Sequence, residues 1–320
     1  MSKARELAEL GAAYDSGALS NRNIIINGAF TVAQRATSVS SSTTAGYNTV
    51  DRFRVNVSGA TFNQSQQTVT VGGETGLPTQ FTKFLRHECT TGNDNHFIIT
   101  RIEDVAKFQG NMVLSFYAKG SNPSTLGKLS VKFHQHFGSG GSSDVYTTAQ
   151  DLTLTGTWQR FTFNVTMASI TGKTVGAGNY GGVLFGQDTN ASTEAWTLDI
   201  TGVQLEVGTE ATPFEHRSIG DELQRCFRYT IKYTNKPLGI CSGATTISHE
   251  VVELHTKMRA TPTVESGATY DVNAGNAGTV AISRSAQLTS TDDTINFYNS
   301  ANNWTTDAAC RVTCVLTAEL

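Results

Sequence analysis

Val131-Lys132-Phe133-His134-Gln135-His136-Phe137, closed by Gly138-Ser139-Gly140-Gly141, is the stretch that decides the fold. In an extended chain successive side chains point to opposite faces. Val131, Phe133, Gln135 and Phe137 therefore share one face, and Lys132, His134 and His136 the other. One face suits a core and the other water, and the glycine cluster marks the turn that ends the strand.

The same alternation recurs on either side. Phe53, Val55 and Val57 alternate with Arg52, Arg54 and Asn56, and Phe81, Lys83 and Leu85 oppose Thr82, Phe84 and Arg86. Residues 97–102 and the mostly apolar Val113-Leu114-Ser115-Phe116-Tyr117-Ala118 read as further strands. Trp158, Arg160, Thr162 and Asn164 alternate with Gln159, Phe161, Phe163 and Val165, and 181–186 and 196–207 complete the series. Ile24-Ile25-Ile26 before the turn pair Asn27-Gly28 reads as the first strand. About ten short strands separated by turn signals, with no long helical period, predict an all-β chain: an antiparallel two-sheet sandwich, a jelly roll, over 21–217.

Near residue 211 the pattern changes. Pro213 ends the strand series, and Ser218 with Asp221 has the spacing of a helix cap. A short helix follows, with Leu223, Cys226 and Phe227 inward. Strands resume at 229–233, 239–247, 251–258, 261–264, 279–284, 294–298 and 310–316, a second and smaller β-sandwich over 218–320. At the other end, residues 2–10 read as a short helix with Ser2 as cap, an Ala4, Leu7, Ala8 and Leu10 stripe, and Gly11 at its close. Such a helix is not stable alone. It packs on its own sandwich or docks on a partner; the linker that follows it favours docking through Leu7 and Leu10, with 1–20 as an attachment segment.

Composition narrows the function. Of 320 residues only 16% are charged and 30 are Gly, against a charged share of about 25% in ordinary domains. That bias favours strands and polar turns and suits a virion or extracellular surface. The net charge of -3 and pI near 6.2 leave no basic footprint for nucleic acid. No apolar run approaches the roughly 18 residues of a membrane span. The charged first ten residues are not those of a secretory signal, so folding in a cytoplasm is expected. Five cysteines without a CxxC read as reduced apolar fillers. Cys310 and Cys314 on one strand would stand roughly 13 Å apart, beyond the reach of about 7 Å for a disulfide.

Several segments resemble tail-fibre and related structural proteins of tailed phages, especially those of marine bacteria. They are Ser2-Lys3-Ala4-Arg5-Glu6-Leu7-Ala8; Asn23-Ile24-Ile25-Ile26-Asn27-Gly28-Ala29-Phe30 with Gln34-Arg35 and Val50-Asp51-Arg52-Phe53; Ile102-Glu103-Asp104-Val105 leading to 113–119; Phe137 to Ser142; and Gly156 to Phe161. Val203-Gln204-Leu205-Glu206-Val207-Gly208-Thr209-Glu210-Ala211-Thr212-Pro213-Phe214-Glu215, running into 221–229, carries the most. The second domain matches chiefly through Met258-Arg259-Ala260-Thr261-Pro262. The first sandwich is also similar to jelly-roll carbohydrate-binding modules. The resemblance implies a virion protein of the tail, commonly trimeric, joined to other tail proteins through its N-terminus and contacting host-surface glycans. A carbohydrate-binding module without architectural role is the alternative, and a glycan-degrading enzyme a third reading.

The module likeness also implies a structural Ca²⁺ between the Asn27 turn and the last strand, with Asp199 or Glu206 as carboxylates; otherwise these are a turn and exposed acids. Ala29 stands where many such modules carry an acidic residue. Sugar contacts on sandwiches use exposed aromatic platforms, here Tyr180, Tyr146, Tyr298 and Trp304. Trp304, in a polar loop, serves either as a contact or as a plug or subunit contact, whereas Trp158 and Trp196 read as core. His134 and His136, two apart on one strand face, suit a metal shared across a trimer axis or simply a solvated polar face. Lys132 and Ser139 add no ligand. No GxSxG, HExxH or P-loop occurs. The adjacent acids Glu103-Asp104 and Asp292-Asp293 point to opposite faces and form no hydrolytic pair. No enzyme activity is expected.

Overall fold

Two six-stranded antiparallel sheets face each other across a core of phenylalanine and branched aliphatic side chains. In spatial order, sheet one holds β1 (Ser38–Ser42), β3 (Thr61–Thr68), β4 (Lys83–Thr91), β12 (Trp196–Val207), β6 (Gly110–Ser121) and β10 (Gln159–Met167). Sheet two holds β2 (Phe53–Asn56), β5 (His96–Glu103), β11 (Tyr180–Gln187), β7 (Leu129–His136) and β8 (Val145–Tyr146), with β9 (Gln150–Leu152) also on β7. The chain passes repeatedly from one sheet to the other, as in a jelly roll. The computed structural model describes residues 21–70, 72–92, 96–187, 194–241, 248–265, 269–273, 280–281, 294–299 and 308–320. Two compact units result, one running to Ser218 and including Leu320, the other Ile219–Glu319.

The alternation of 131–137 is realised in β7. Leu129, Val131 and Phe133 enter the core, where Val183 and Phe185 of β11 meet Met112, Leu114 and Phe116 of β6. Phe116 and Phe185 meet edge to face across the two sheets, ring centroids 5.2 Å apart. Gln135 is buried too, and its amide donates to the Phe108 and Ala168 carbonyls at 2.8 Å each. Trp196 lies in the main core. Trp158 packs with Phe81 and Phe84 in a smaller cluster, its Nε1–H donating to Glu74 at 2.7 Å.

Ile24-Ile25-Ile26 is not a strand, contrary to its β-branched composition. Ile24 N does reach the Leu205 carbonyl of β12 at 3.1 Å, but side chains take the backbone groups on either side of it. Glu215 accepts from the amides of Asn21 and Asn23 at 2.6 and 2.8 Å, and Asn23 Oδ1 accepts from Ile25 N at 3.0 Å. Asn23 Oδ1 also accepts from Leu205 N, and its Nδ2 donates to the Val203 carbonyl. The segment is thereby clasped to β12. On β12 itself, Glu206 accepts from Thr212 N and Oγ1, and Gln204 Oε1 accepts from Glu215 N at 2.7 Å. β12 also shifts register against β6 between Thr201 and Gln204, around Gly202 with φ 64°. That is a left-handed conformation glycine tolerates at a bulge.

The second unit opens with α1 (Ile219–Phe227), which buries Cys226 and Glu222 and half-buries Leu223 and Phe227. Its five-stranded sheet comprises β13 (Thr230–Cys241), β19 (Ala308–Thr317), β16 (Thr269–Asn273), β17 (Val280–Ala281) and β15 (Thr263–Val264). β14 (Ser248–Glu253) and β18 (Thr294–Asn299) form a separate antiparallel pair. Tyr229, Ile231, Val312 and Leu316 are among its buried side chains. Cys89, Cys226 and Cys314 are buried free thiols. No helix among the described residues is long and apolar enough to cross a membrane. The expected helix at 2–10, with Leu7 and Leu10, lies outside the described residues.

Candidate functional site

The outer face of sheet two gathers the polar half of the 131–137 alternation. Strand register sets the rows. Tyr146 of β8 stands opposite His134 of β7, which stands opposite Gly182 of β11, which stands opposite Arg101 of β5. In the next row His136 faces Tyr180, and Tyr180 faces Glu103. In the row on the other side Lys132 faces Leu184 and Leu184 faces Ile99. Gly182 carries no side chain, and a Cβ there would lie 3.5 Å from the Tyr180 ring and 3.4 Å from His134 Cβ. The tightest approach would be to Ile99 Cδ1 at 3.0 Å, so the bare glycine leaves room for that side chain.

The rings form a ladder. His134 lies parallel to Tyr146, centroids 4.1 Å apart and planes 7° apart, and meets Tyr180 edge-on at 5.4 Å. His136 packs on Tyr180 at 4.6 Å. The Arg101 guanidinium sits 4.6 Å over the Tyr180 ring, and the Lys132 ammonium 5.2 Å from the Tyr146 ring. His134 is buried at 4% exposure and Tyr180 at 7%, while Tyr146 remains 50% exposed. Beside Lys132, a shallow depression is lined by Phe97, Ser130, Leu184, Gly186 and Gln187. Leu320 packs against the cluster of Ile99, Tyr180 and Leu184.

Asp144 joins this ladder from the loop between β7 and β8. Its Oδ2 lies 2.8 Å from His134 Nε2 and its Oδ1 2.9 Å from His136 Nδ1. A carboxylate only accepts hydrogen bonds, so these two nitrogens carry the protons. Burial would raise the Asp144 carboxyl, but the hydrogen bonds from His134 and His136 outweigh it and hold the group below its ordinary value. Burial lowers the His134 imidazole in spite of Asp144, so that ring is neutral near pH 7. Burial also raises the Tyr146 and Tyr180 phenols, which keeps both hydroxyls protonated. Asp144 is thus shifted away from the protonated state that a glycosidic general acid requires.

The other expected site residues have different places. Asp199 is held by Arg86, Nε to Oδ1 and NH2 to Oδ2, both at 2.8 Å. Glu206 is engaged by Thr212 and Gln204. Asn27 pins its own turn: Nδ2 donates to the Val32 and Asp51 carbonyls, and Oδ1 accepts from Val32 N. Each of the three thus ties its own strand or turn to a neighbouring segment. Among the described residues, the His, Cys, Asp and Glu side chains that gather with metal-ligand spacing are His134, His136 and Asp144. Tyr180 lies on this face but is not the exposed platform expected, because Arg101, His134 and His136 pack on its ring and bury it. Tyr298 is in β18 of the second unit, opposite His249. Trp304 falls outside the described residues.

Sequence reasoning placed the two histidines together but missed Asp144. The signal was available in the hairpin: with His134 opposite Tyr146 and Gln135 opposite Val145, continuing the register brings Asp144 beside His136.

No protein-family model and no curated protein matches the chain. Among solved structures, it is similar to the N-terminal cellulose-binding domain of Cellulomonas fimi β-1,4-glucanase C at 18% identity, over 46% of this chain and 90% of that one, TM-score 0.31. A family 11 carbohydrate-binding module of a Clostridium thermocellum cellulosomal cellulase aligns at 13% identity, over 56% and 99%, TM-score 0.31. The enzymatically active domain of bacteriophage CBA120 tailspike protein 4 aligns at 12% identity, over 58% of this chain and 22% of that one, TM-score 0.34. Scores this low leave the fold standing on the strand order and register given above.

Proposed function

We propose that the chain is a non-catalytic glycan-binding protein that meets sugar on the outer face of sheet two. One observation carries the reading: Tyr146, half exposed, stacks on the buried His134 ring with the Lys132 ammonium 5.2 Å from its own ring, and Asp144 and His136 adjoin that same His134. A pyranose has an apolar face and a polar rim. A fixed aromatic ring beside an ammonium, a carboxylate and an imidazole offers partners for both. Affinity electrophoresis of the full chain through gels containing single soluble polysaccharides (β-glucans, xylans and bacterial capsular polysaccharides) tests it. At least one polymer should retard the protein, and Tyr146→Ala should abolish the retardation without lowering the melting temperature. Equal retardation of the variant, or none for the parent with any polymer, counts against the reading.

The sequence segments around Asn23–Phe30 and Val203–Glu215 favour a particular setting for this activity, a structural component of a phage tail. In that setting residues 1–20 join the chain to other tail proteins, copies associate as a trimer, and assembly takes place in the host cytoplasm. Deleting 1–20 should leave a folded protein that no longer joins particles, and mass photometry of the parent should give three chains. Normal incorporation of the truncated form, or a monomer at micromolar concentration, speaks against this setting and leaves the glycan reading to its own test.

A further inference from the structure

We propose that His134, His136 and Asp144 form a binding site for a divalent first-row transition-metal ion, with Zn²⁺ as the reference case. Three donor atoms converge from two adjoining pieces of one hairpin: Nε2 of His134, Nδ1 of His136 and a carboxylate oxygen of Asp144, all within 4.8 Å of one another. Two imidazoles and one carboxylate are the donor types such ions prefer, whereas Ca²⁺ and Mg²⁺ take oxygen ligands.

The geometry needs little adjustment. Tetrahedral bonds of about 2.0–2.1 Å place ligand atoms about 3.3 Å apart. Asp144 Oδ2 lies 2.8 Å from His134 Nε2 and 3.1 Å from His136 Nδ1, so these contacts open by about 0.5 and about 0.2 Å to admit the ion, while the two imidazole nitrogens, within 4.8 Å of each other, draw together. Neither histidine has to be recruited. His134 is buried between the parallel Tyr146 ring and the edge of Tyr180, and His136 is packed on Tyr180. The rotamer freedom a metal site must remove is therefore already removed. On binding, the proton that each imidazole now directs at Asp144 leaves that nitrogen, and the freed lone pair becomes a ligand. Three protein ligands leave the remaining positions to water or to an oxygen ligand from outside. Sugar binding is not a premise of this site.

The test is calorimetric titration of Zn²⁺ into the full, chelator-stripped chain, with His136→Gln and Asp144→Asn. The parent should bind one ion per chain at this site, and each substitution should weaken that step at least tenfold. Unchanged affinity in both variants assigns the ion elsewhere and overturns the proposal, as does no uptake by the parent. Imidazole ¹⁵N spectra of the parent keep the question decidable if a variant misfolds. Zn²⁺ should move His134 Nε2 and His136 Nδ1, and unmoved resonances overturn the assignment.

Discussion

His87 and His96 face each other nitrogen to nitrogen inside the first sandwich, Nε2 to Nε2 at 2.9 Å, with both side chains fully buried. Phe62 stacks on His87 at 5.2 Å, and Trp196 packs on both rings. One ring must donate and the other accept, which a doubly protonated pair cannot do, and burial disfavours even a single charge there.

That pair makes the fold acid-sensitive. Burial pushes His96 down to about 4, and burial with the neighbouring His96 pushes His87 well below 6.5. The unfolded chain therefore binds more protons than the folded one below the ordinary imidazole value, and stability falls as pH falls. Between pH 7 and 5 the loss from His96 alone should be about 2 kcal/mol. His134 and His216, also lowered by burial, act with the same sign. Urea unfolding at several pH values checks this, and a flat profile from pH 7 to 5 contradicts it.

Asn23→Ala should cost about 2–5 kcal/mol, because it leaves the buried amides of Ile25 and Leu205 and the Val203 carbonyl without their partner. The Asn23–Leu205 contact spans 182 residues and ties the start of the first unit to its last strand. Chemical denaturation measures the loss; a change under 1 kcal/mol would mean the clasp is incidental.

Gly28→Ala should destabilise by about 1–3 kcal/mol. A Cβ at Gly28 would lie 2.0 Å from the Val203 carbonyl oxygen, a backbone atom that cannot swing aside. Gly156→Ala is the control, since nothing lies within 4 Å of the place its methyl group would take. The melting temperature of Gly28→Ala should drop and that of Gly156→Ala should stay within a degree or two.

Cys89 and Cys314 should resist alkylation in the native chain. Burial pushes their thiols up to about 11 and about 12, and the thiolate is the reactive form. Iodoacetamide at pH 8 followed by peptide mass spectrometry should find both unmodified until denaturant is added. Prompt native labelling of either contradicts the buried placement.

The aromatic and aliphatic alternation of β2, β5, β7 and β10 was legible in the chain because a strand half in water must repeat every second residue. β1 and β3 were not legible: Ser38–Ser42 and Thr61–Thr68 are almost wholly hydroxyl and amide residues. β3 buries Gln64, whose Oε1 accepts from Thr49 at 2.6 Å, so a hydrogen bond replaces the apolar contact that a pattern detects. Ile24-Ile25-Ile26 erred in the other direction. Its branched side chains announce a strand, but Asn23 and Glu215 capture the backbone first.

By itself the sequence determined the class of fold and the two faces of β7, since periodicity is a local property of the chain. The tertiary structure alone decided that Asp144 closes on His134 and His136, that Tyr146 stays half exposed, and that Asp199 and Glu206 serve as connectors. Those outcomes depend on strand register and on which partner reaches each polar group, whether across one hairpin, as for Asp144 and His136, or 113 residues away, as for Asp199 and Arg86.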